Sequence, residues 1–173
     1  MLTSFTKRGD KGNAVLQKSV PFVTNKEINE ITLPPALQEY KLVRKSLVEE
    51  IIVAERKFQI SDDLLFEYVH PIIPYYEING VGLLYFAAYP TISDIGELEY
   101  LKTIRDAFKP ATAYFTIGRK VFYLANCDST DRVIYQLNSF EKEGNYMKIQ
   151  SSLYRQSDRK MMAKIFTVKE KID

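Results

Sequence analysis

The chain has 173 residues, 46% hydrophobic and 27% charged, enough apolar material for one packed domain of ordinary size with some segment left over. Its formal charge of +2 is the small difference between 24 basic and 22 acidic residues, which excludes the broad positive field that gathers nucleic acid. One cysteine, Cys127, and one histidine, His70, exclude an internal disulfide and leave no His/Cys cluster with metal-ligand spacing.

No apolar run approaches the roughly 20 residues needed to span a bilayer, and the N-terminus lacks the apolar core of a signal peptide. The expectation is a soluble cytoplasmic protein with no structural metal and no membrane contact. Twelve Tyr and ten Phe against no Trp favour a core rich in strands.

From the N-terminus, residues 2–8 alternate weakly, 9–13 are turn chemistry, and 15–23 resume with Pro21 inside. This reads as an edge strand, a turn and an extended arm. Residues 25–57 are polar, contain Pro34-Pro35, and place Leu37, Tyr40, Val43 and Leu47 at helical spacing on a thin, charged face, which predicts a linker with a peripheral helix. Residues 64–78 are dense in β-branched and aromatic side chains but interrupted by Pro71 and Pro74, which predicts a strand with irregular edge pairing.

Asn79-Gly80-Val81-Gly82 is a turn signal. Beyond it Tyr85, Ala88, Tyr89, Ile92, Ile95, Leu98, Leu101 and Ile104 recur at steps of three and four, which predicts a buried helix over 83–108, bent or restarted near Pro90. The remainder divides into strand-like pieces at 112–125, 132–140, 146–155 and 161–171, separated by turn-forming clusters.

The order strand, long apolar helix, several antiparallel strands has one economical solution, a sheet curled around the helix. The predicted class is therefore α+β, a hotdog fold with an antiparallel sheet wrapped around one long central helix. An N-terminal arm, linker and peripheral helix over 1–60 precede the hotdog domain over 61–173.

The run from Asn79 to Tyr89 resembles the signature of the 4-hydroxybenzoyl-CoA thioesterase branch of hotdog proteins: acid, two residues, glycine, two aliphatics, an aromatic pair, a small residue and tyrosine. Asp94, Glu97 and Tyr100-Leu101 fall where that family has an acid and an aromatic-leucine pair along its helix, and Arg119 to Asn126 resembles its next strand. Residues 78–95 and 121–131 also resemble the second half of the leinamycin-type double-hotdog acyltransferase/decarboxylases of polyketide assembly, whose first hotdog unit carries a self-acylating tyrosine.

The resemblance implies a substrate acylated on coenzyme A or on the phosphopantetheine arm of an acyl carrier protein, with no other cofactor. It offers Asn79, the backbone N–H of Phe86, Asp94 and Glu97 as catalytic positions, and Gly82, Tyr85, Tyr89 and Asn126 as substrate-binding positions. Where the thioesterase branch has an aspartate, this chain has Asn79, whose amide donates hydrogen bonds but cannot act as a general base. That change favours acyl transfer or decarboxylation by enolate stabilisation. The alternatives are a thioesterase or dehydratase using Asp94 or Glu97, and a unit without turnover. The exposed sheet edge of a lone hotdog further implies a homodimer or pairing with a second hotdog unit.

Each candidate also has a structural reading. Asn79 before Gly80 suits a turn, Tyr85 and Tyr89 suit a core face, and Asp94 and Glu97 suit the first turns of a helix dipole. No Ser or Cys motif accompanies His70, and nothing around Cys127 lowers its pKa. Arg155, Arg159, Lys160, Lys164, Lys169 and Lys171 fit either a phosphate dock or a lysine-defended edge.

Overall fold

The computed structural model describes residues 6–9, 12–18, 34–104 and 113–172. In chain order these form β1 (Thr6–Gly9), β2 (Gly12–Lys18), α1 (Pro35–Arg44), β3 (Glu50–Val53), β4 (Arg56–Gln59), β5 (Phe66–Pro71), α2 (Pro74–Glu77), α3 (Ala88–Thr103), β6 (Tyr114–Tyr123), β7 (Arg132–Glu143), β8 (Tyr146–Arg155) and β9 (Met161–Lys171). Strands β5 to β9 make one antiparallel sheet in the order β5-β7-β8-β9-β6. The pairs β1–β2 and β3–β4 are separate antiparallel hairpins.

Strands β8 and β9 are buried along most of their length on both faces, because each face carries its own core. Met147, Ile149, Leu153, Ala163 and Ile165 pack with Ala88, Tyr89 and Ile92 of α3. Phe166 and Val168 face the other way and pack with Val43 of α1 and Ile51, Val53 and Phe58 of the β3–β4 hairpin. Phe58 and Phe122 both meet the Phe166 ring edge-on, at 5.5 and 6.0 Å between centroids, a geometry that aromatic quadrupoles favour.

Residues 34–60 are thus a second covering layer. The predicted peripheral helix is α1, but the β3–β4 hairpin lies in what reads as linker. Its strands are four residues long, and its turn is Ala54-Glu55, both at positive φ (44° and 60°). Such a turn is ordinarily announced by Asn-Gly or Asp-Gly, so the sequence carries no signal for it.

The central helix is shorter than its periodicity suggests. Leu84 forms a bridge with Ile78, and α3 begins at Ala88 with Pro90 as its third residue. There a missing N–H costs nothing, since the first four helical amides have no partner within the helix; Pro90 marks a beginning, not a bend. The predicted extension over 105–108 lies outside the described residues. The predicted strand over 64–78 ends at Pro71, and α2 starts on Pro74.

Strand β7 runs three residues beyond the predicted end at Phe140, because Gly144-Asn145 closes a two-residue turn with Glu143 opposite Tyr146. Gly144 holds φ 59° with open space around the position of a Cβ, so strain alone decides a substitution there. Gly144→Ala should cost about 1–2 kcal/mol, read as a lower midpoint in denaturant unfolding with unchanged slope.

Candidate functional site

Asn79 organises the loop leading to α3. Its Oδ1 accepts the N–H groups of Val81 and Leu83 at 3.1 and 3.0 Å, its own N–H reaches Leu83 O at 2.9 Å, and Gly82 N–H reaches Asn79 O at 2.9 Å. The side chain therefore does the work of a turn residue through its oxygen. Its Nδ2 is the group through which it could meet a substrate oxygen. Gly82 takes φ 78° inside this loop.

The next segment is clasped from the side. Asn126 Oδ1 accepts the N–H of Leu84 (2.8 Å) and of Cys127 (2.7 Å), while Nδ2 donates to Leu84 O (3.0 Å). Those bonds use Oδ1 and one N–H of Nδ2, so Asn126 pairs with backbone as a strand would. Tyr89 is a core residue, fully buried, with its hydroxyl donating to Ala125 O at 2.8 Å. Burial pushes its phenol pKa up.

Phe86 lies just before α3. Its carbonyl accepts the Tyr123 hydroxyl at 3.2 Å, and among the described residues no backbone carbonyl takes its N–H. Ala87, the N-cap of α3, makes no side-chain cap bond. At the start of α3 the Ala88 N–H is taken by Tyr85 O at 2.9 Å and Pro90 has none, so what this end offers is the Phe86 N–H and the positive end of the helix dipole beside the exposed rings of Tyr85 and Phe86, whose centroids are 4.5 Å apart.

Further along α3, four charges converge. Arg119 grips Asp94 with two hydrogen bonds (2.5 and 3.1 Å), and Lys169 Nζ lies 2.7 Å from Glu97 Oε1 and 3.4 Å from Asp94 Oδ1. Asp94 is the exposed member, at 46% of its side chain, and Glu97 the largely buried one, at 5%. Burial is the largest influence on Glu97 and raises its pKa above the ordinary carboxylate range, against the opposing pull of Lys169. Neither acid lies in the first turn of α3, which corrects the expectation that they complement its dipole; each is paired across the fold instead. Their partners, 72 and 25 residues away, left no local pattern by which sequence could join them.

Three other groups complete the surroundings. His70 Nε2 lies 2.8 Å from Glu77 Oε1, and Glu77 Oε2 accepts Ile73 N–H at 2.7 Å. Glu77 O also accepts Tyr85 N–H at 2.6 Å, so this buried pair ties β5, α2 and the approach to α3 together. Cys127 is buried, and that burial pushes its thiol up to about 12, which leaves it unreactive. The C-terminal basic residues do not form one dock: Arg155, Arg159, Lys164 and Lys169 pair with Asp158, Glu67, Asp62 and Glu97 respectively. Among the described residues no group of three or more His, Cys, Asp or Glu side chains could hold a metal ion.

No family model matches the sequence, and neither does any curated protein. Solved structures do match the fold. A thioesterase from Thermus thermophilus complexed with coenzyme A and zinc has a TM-score of 0.56 at 12% identity, over 64% of this chain and 86% of that one. A 1,4-dihydroxy-2-naphthoyl-CoA thioesterase from Synechocystis gives 0.53 at 12% identity, over 61% and 80%. An aspartate-to-asparagine mutant of 4-hydroxybenzoyl-CoA thioesterase complexed with 4-hydroxybenzoyl-CoA gives 0.52 at 9% identity, over 61% and 82%. The shared feature is an antiparallel sheet around one helix, and by that architecture the chain has the hotdog fold.

Proposed function

We propose that this chain binds an acyl thioester of coenzyme A and hydrolyses it, with the thioester carbonyl at the N-terminus of α3 and Glu97 as general base. The observation that carries the reading is the Phe86 N–H at the start of α3, which no backbone carbonyl among the described residues takes and which follows a loop fixed by Asn79 and Asn126. Such a donor, with the helix dipole behind it, stabilises the oxyanion that forms when water adds to the carbonyl. Glu97 would take the proton of that water, the carbon–sulfur bond would then break, and the thiolate would leave as free coenzyme A once protonated.

One protomer cannot bring both ends together. Ala88 and Glu97 are nine residues apart on α3, about 13 Å along the axis at 1.5 Å per residue. A second copy paired along β6, an end strand of the described sheet with Phe115 and Ile117 exposed, would supply the carboxylate. The active form in this reading is therefore a homodimer.

Acyl transfer or decarboxylation of a carrier-bound chain is the second reading. It is favoured by one residue, Asn79, whose amide can steady a carbonyl or enolate oxygen through Nδ2 but cannot activate water. The structural neighbours described above are thioesterases and lend the narrower double-hotdog resemblance no support. The two readings separate on one experiment: purified protein is incubated with acetyl-, malonyl- and benzoyl-CoA, with and without a carrier protein. Steady thiol release with free acid as product carries the first; carbon dioxide loss or acylated carrier by intact mass carries the second; no turnover with any substrate sinks both.

Asn79→Asp is the direct chemical probe. A carboxylate accepts the Val81 and Leu83 N–H groups as the amide oxygen does, so the loop should hold and the melting temperature should stay unchanged. Supplying a base beside the α3 N-terminus should raise thiol release at least ~10-fold, the lower reach of general base catalysis. An unchanged rate in a folded variant would remove this loop from the reaction.

A further inference from the structure

We infer that Arg155 is a positioning residue for the α3 N-terminus, acting through Asn126; the inference rests on the placing of the thioester carbonyl at that terminus. Arg155 ends β8 and is buried, with 7% of its side chain exposed. Its guanidinium is divided between two tasks. Nε and Nη2 hold Asp158 at 2.9 and 2.6 Å, and Nη1 donates to the backbone carbonyl of Asn126 at 2.9 Å.

The second bond matters because of what Asn126 does with its side chain. Both ends of that amide clasp Leu84, and Leu84 N–H also reaches Cys127 O at 3.1 Å. Two residues later comes Phe86, whose N–H the proposed reaction uses. A continuous chain of hydrogen bonds therefore runs from Arg155 to Asn126 to Leu84 and so to the approach of α3. An error of about 1 Å at an oxyanion donor can cost on the order of 100-fold in rate, so the clasp has a measurable consequence.

Burying a guanidinium is expensive, and an ion pair alone rarely repays it. Asp158, half exposed, could close the β8–β9 turn with its own bond to Lys160 N–H (3.1 Å) and a solvent-exposed lysine. What an arginine adds is the planar fork, which satisfies Asp158 and the Asn126 carbonyl at once. The bond to Asn126 O is the part of this arrangement that a turn does not require.

Two variants separate the roles. Asp158→Asn weakens the turn but leaves the Nη1 bond to Asn126; Arg155→Met keeps the length and packing of the side chain and deletes that bond. Amide hydrogen exchange should accelerate at Leu84 and Cys127 by at least ~10-fold in Arg155→Met and stay within about twofold of wild type in Asp158→Asn, by the rate sensitivity of locally opened segments. Thiol release should follow the same split, with kcat falling ~100-fold in the first variant and KM little changed. Arg155→Lys, which keeps the charge but cannot span both acceptors, should resemble Arg155→Met and stands in for it if methionine prevents folding.

Equal exchange at Leu84 in the arginine and Asp158 variants would overturn the inference and leave a turn-closing ion pair. A wild-type protein that releases no thiol sinks the thioesterase reading instead, and the exchange comparison still decides the clasp.

Discussion

Glutamine in place of Glu97 should abolish most thiol release, lowering kcat about 10²- to 10⁴-fold, the usual share of a general base, in a protein that still folds. The amide would keep a carbonyl oxygen where Glu97 Oε1 now accepts the Lys169 ammonium at 2.7 Å, and the two side chains have nearly the same volume. What the substitution removes is the ability to take a proton. Steady-state kinetics with the best acyl-CoA, beside thermal unfolding, tests this; a folded variant with wild-type kcat would hand the acid–base role to another group.

The pH dependence follows from the direction of the Glu97 shift. Burial, the largest influence, holds its pKa above the ordinary glutamate range, Asp94 pushes the same way, and Lys169 and Arg119 pull back. A base of this kind is ionised only once pH has climbed past that range, so the rising limb of kcat should be displaced upward from the position of an unperturbed carboxylate. Stability moves in the opposite sense. Because the folded state binds the Glu97 proton more tightly than the unfolded chain, its contribution is fully present below about pH 4.3 and is lost as pH rises through the raised folded value. The difference in unfolding free energy between wild type and Glu97→Gln should fall across that window, which denaturant titrations at several pH values would show.

The fold is legible where periodicity and turns speak plainly. The four C-terminal strands and the apolar helix each announce themselves, and their order admits one packing. The hairpin over 50–59 does not, since Ala54-Glu55 adopts a turn conformation its residues do not advertise. The candidate site is legible as single residues rather than as a site. Asn79, Asp94 and Glu97 can be named from the sequence, but Lys169 and Arg119, which decide the electrostatics of the two acids, come from β9 and β6. The amide chemistry of Asn126 suits a ligand contact, and nothing in the sequence announces that Oδ1 and one N–H of that amide engage Leu84 and Cys127. Sequence names the side chain; only tertiary contact says whom it serves.

Gly96→Val is expected to be the most damaging single substitution in the helix, destabilising the protein by about 3 kcal/mol or more. A Cβ at Gly96 would lie 2.5 and 2.6 Å from the two Cδ atoms of Tyr135 and closer still to its Cγ, so α3 rests directly on that ring. Tyr135, the fourth residue of β7, is fully buried and has nowhere to turn, so relief requires the helix to lift from the sheet. A β-branched side chain adds rotamer restriction in the helix, and the modest gain in helix propensity over glycine does not offset the clash. At roughly 2–4 °C per kcal/mol for a chain of this size, the melting temperature should fall by about 6–12 °C. The loss should also reach the chemistry, because Glu97 is the next residue along the helix. Lifting α3 would open its carboxyl to water, lower its pKa toward the ordinary range and pull it from Lys169, so activity should fall further than the folded fraction alone accounts for. Pairing Gly96→Val with Tyr135→Ala, which removes Cγ and both Cδ atoms, should make the valine cost less than it does beside the intact ring, in a double-mutant cycle. Strictly additive losses would show that the helix is lifted from the sheet by something other than this contact.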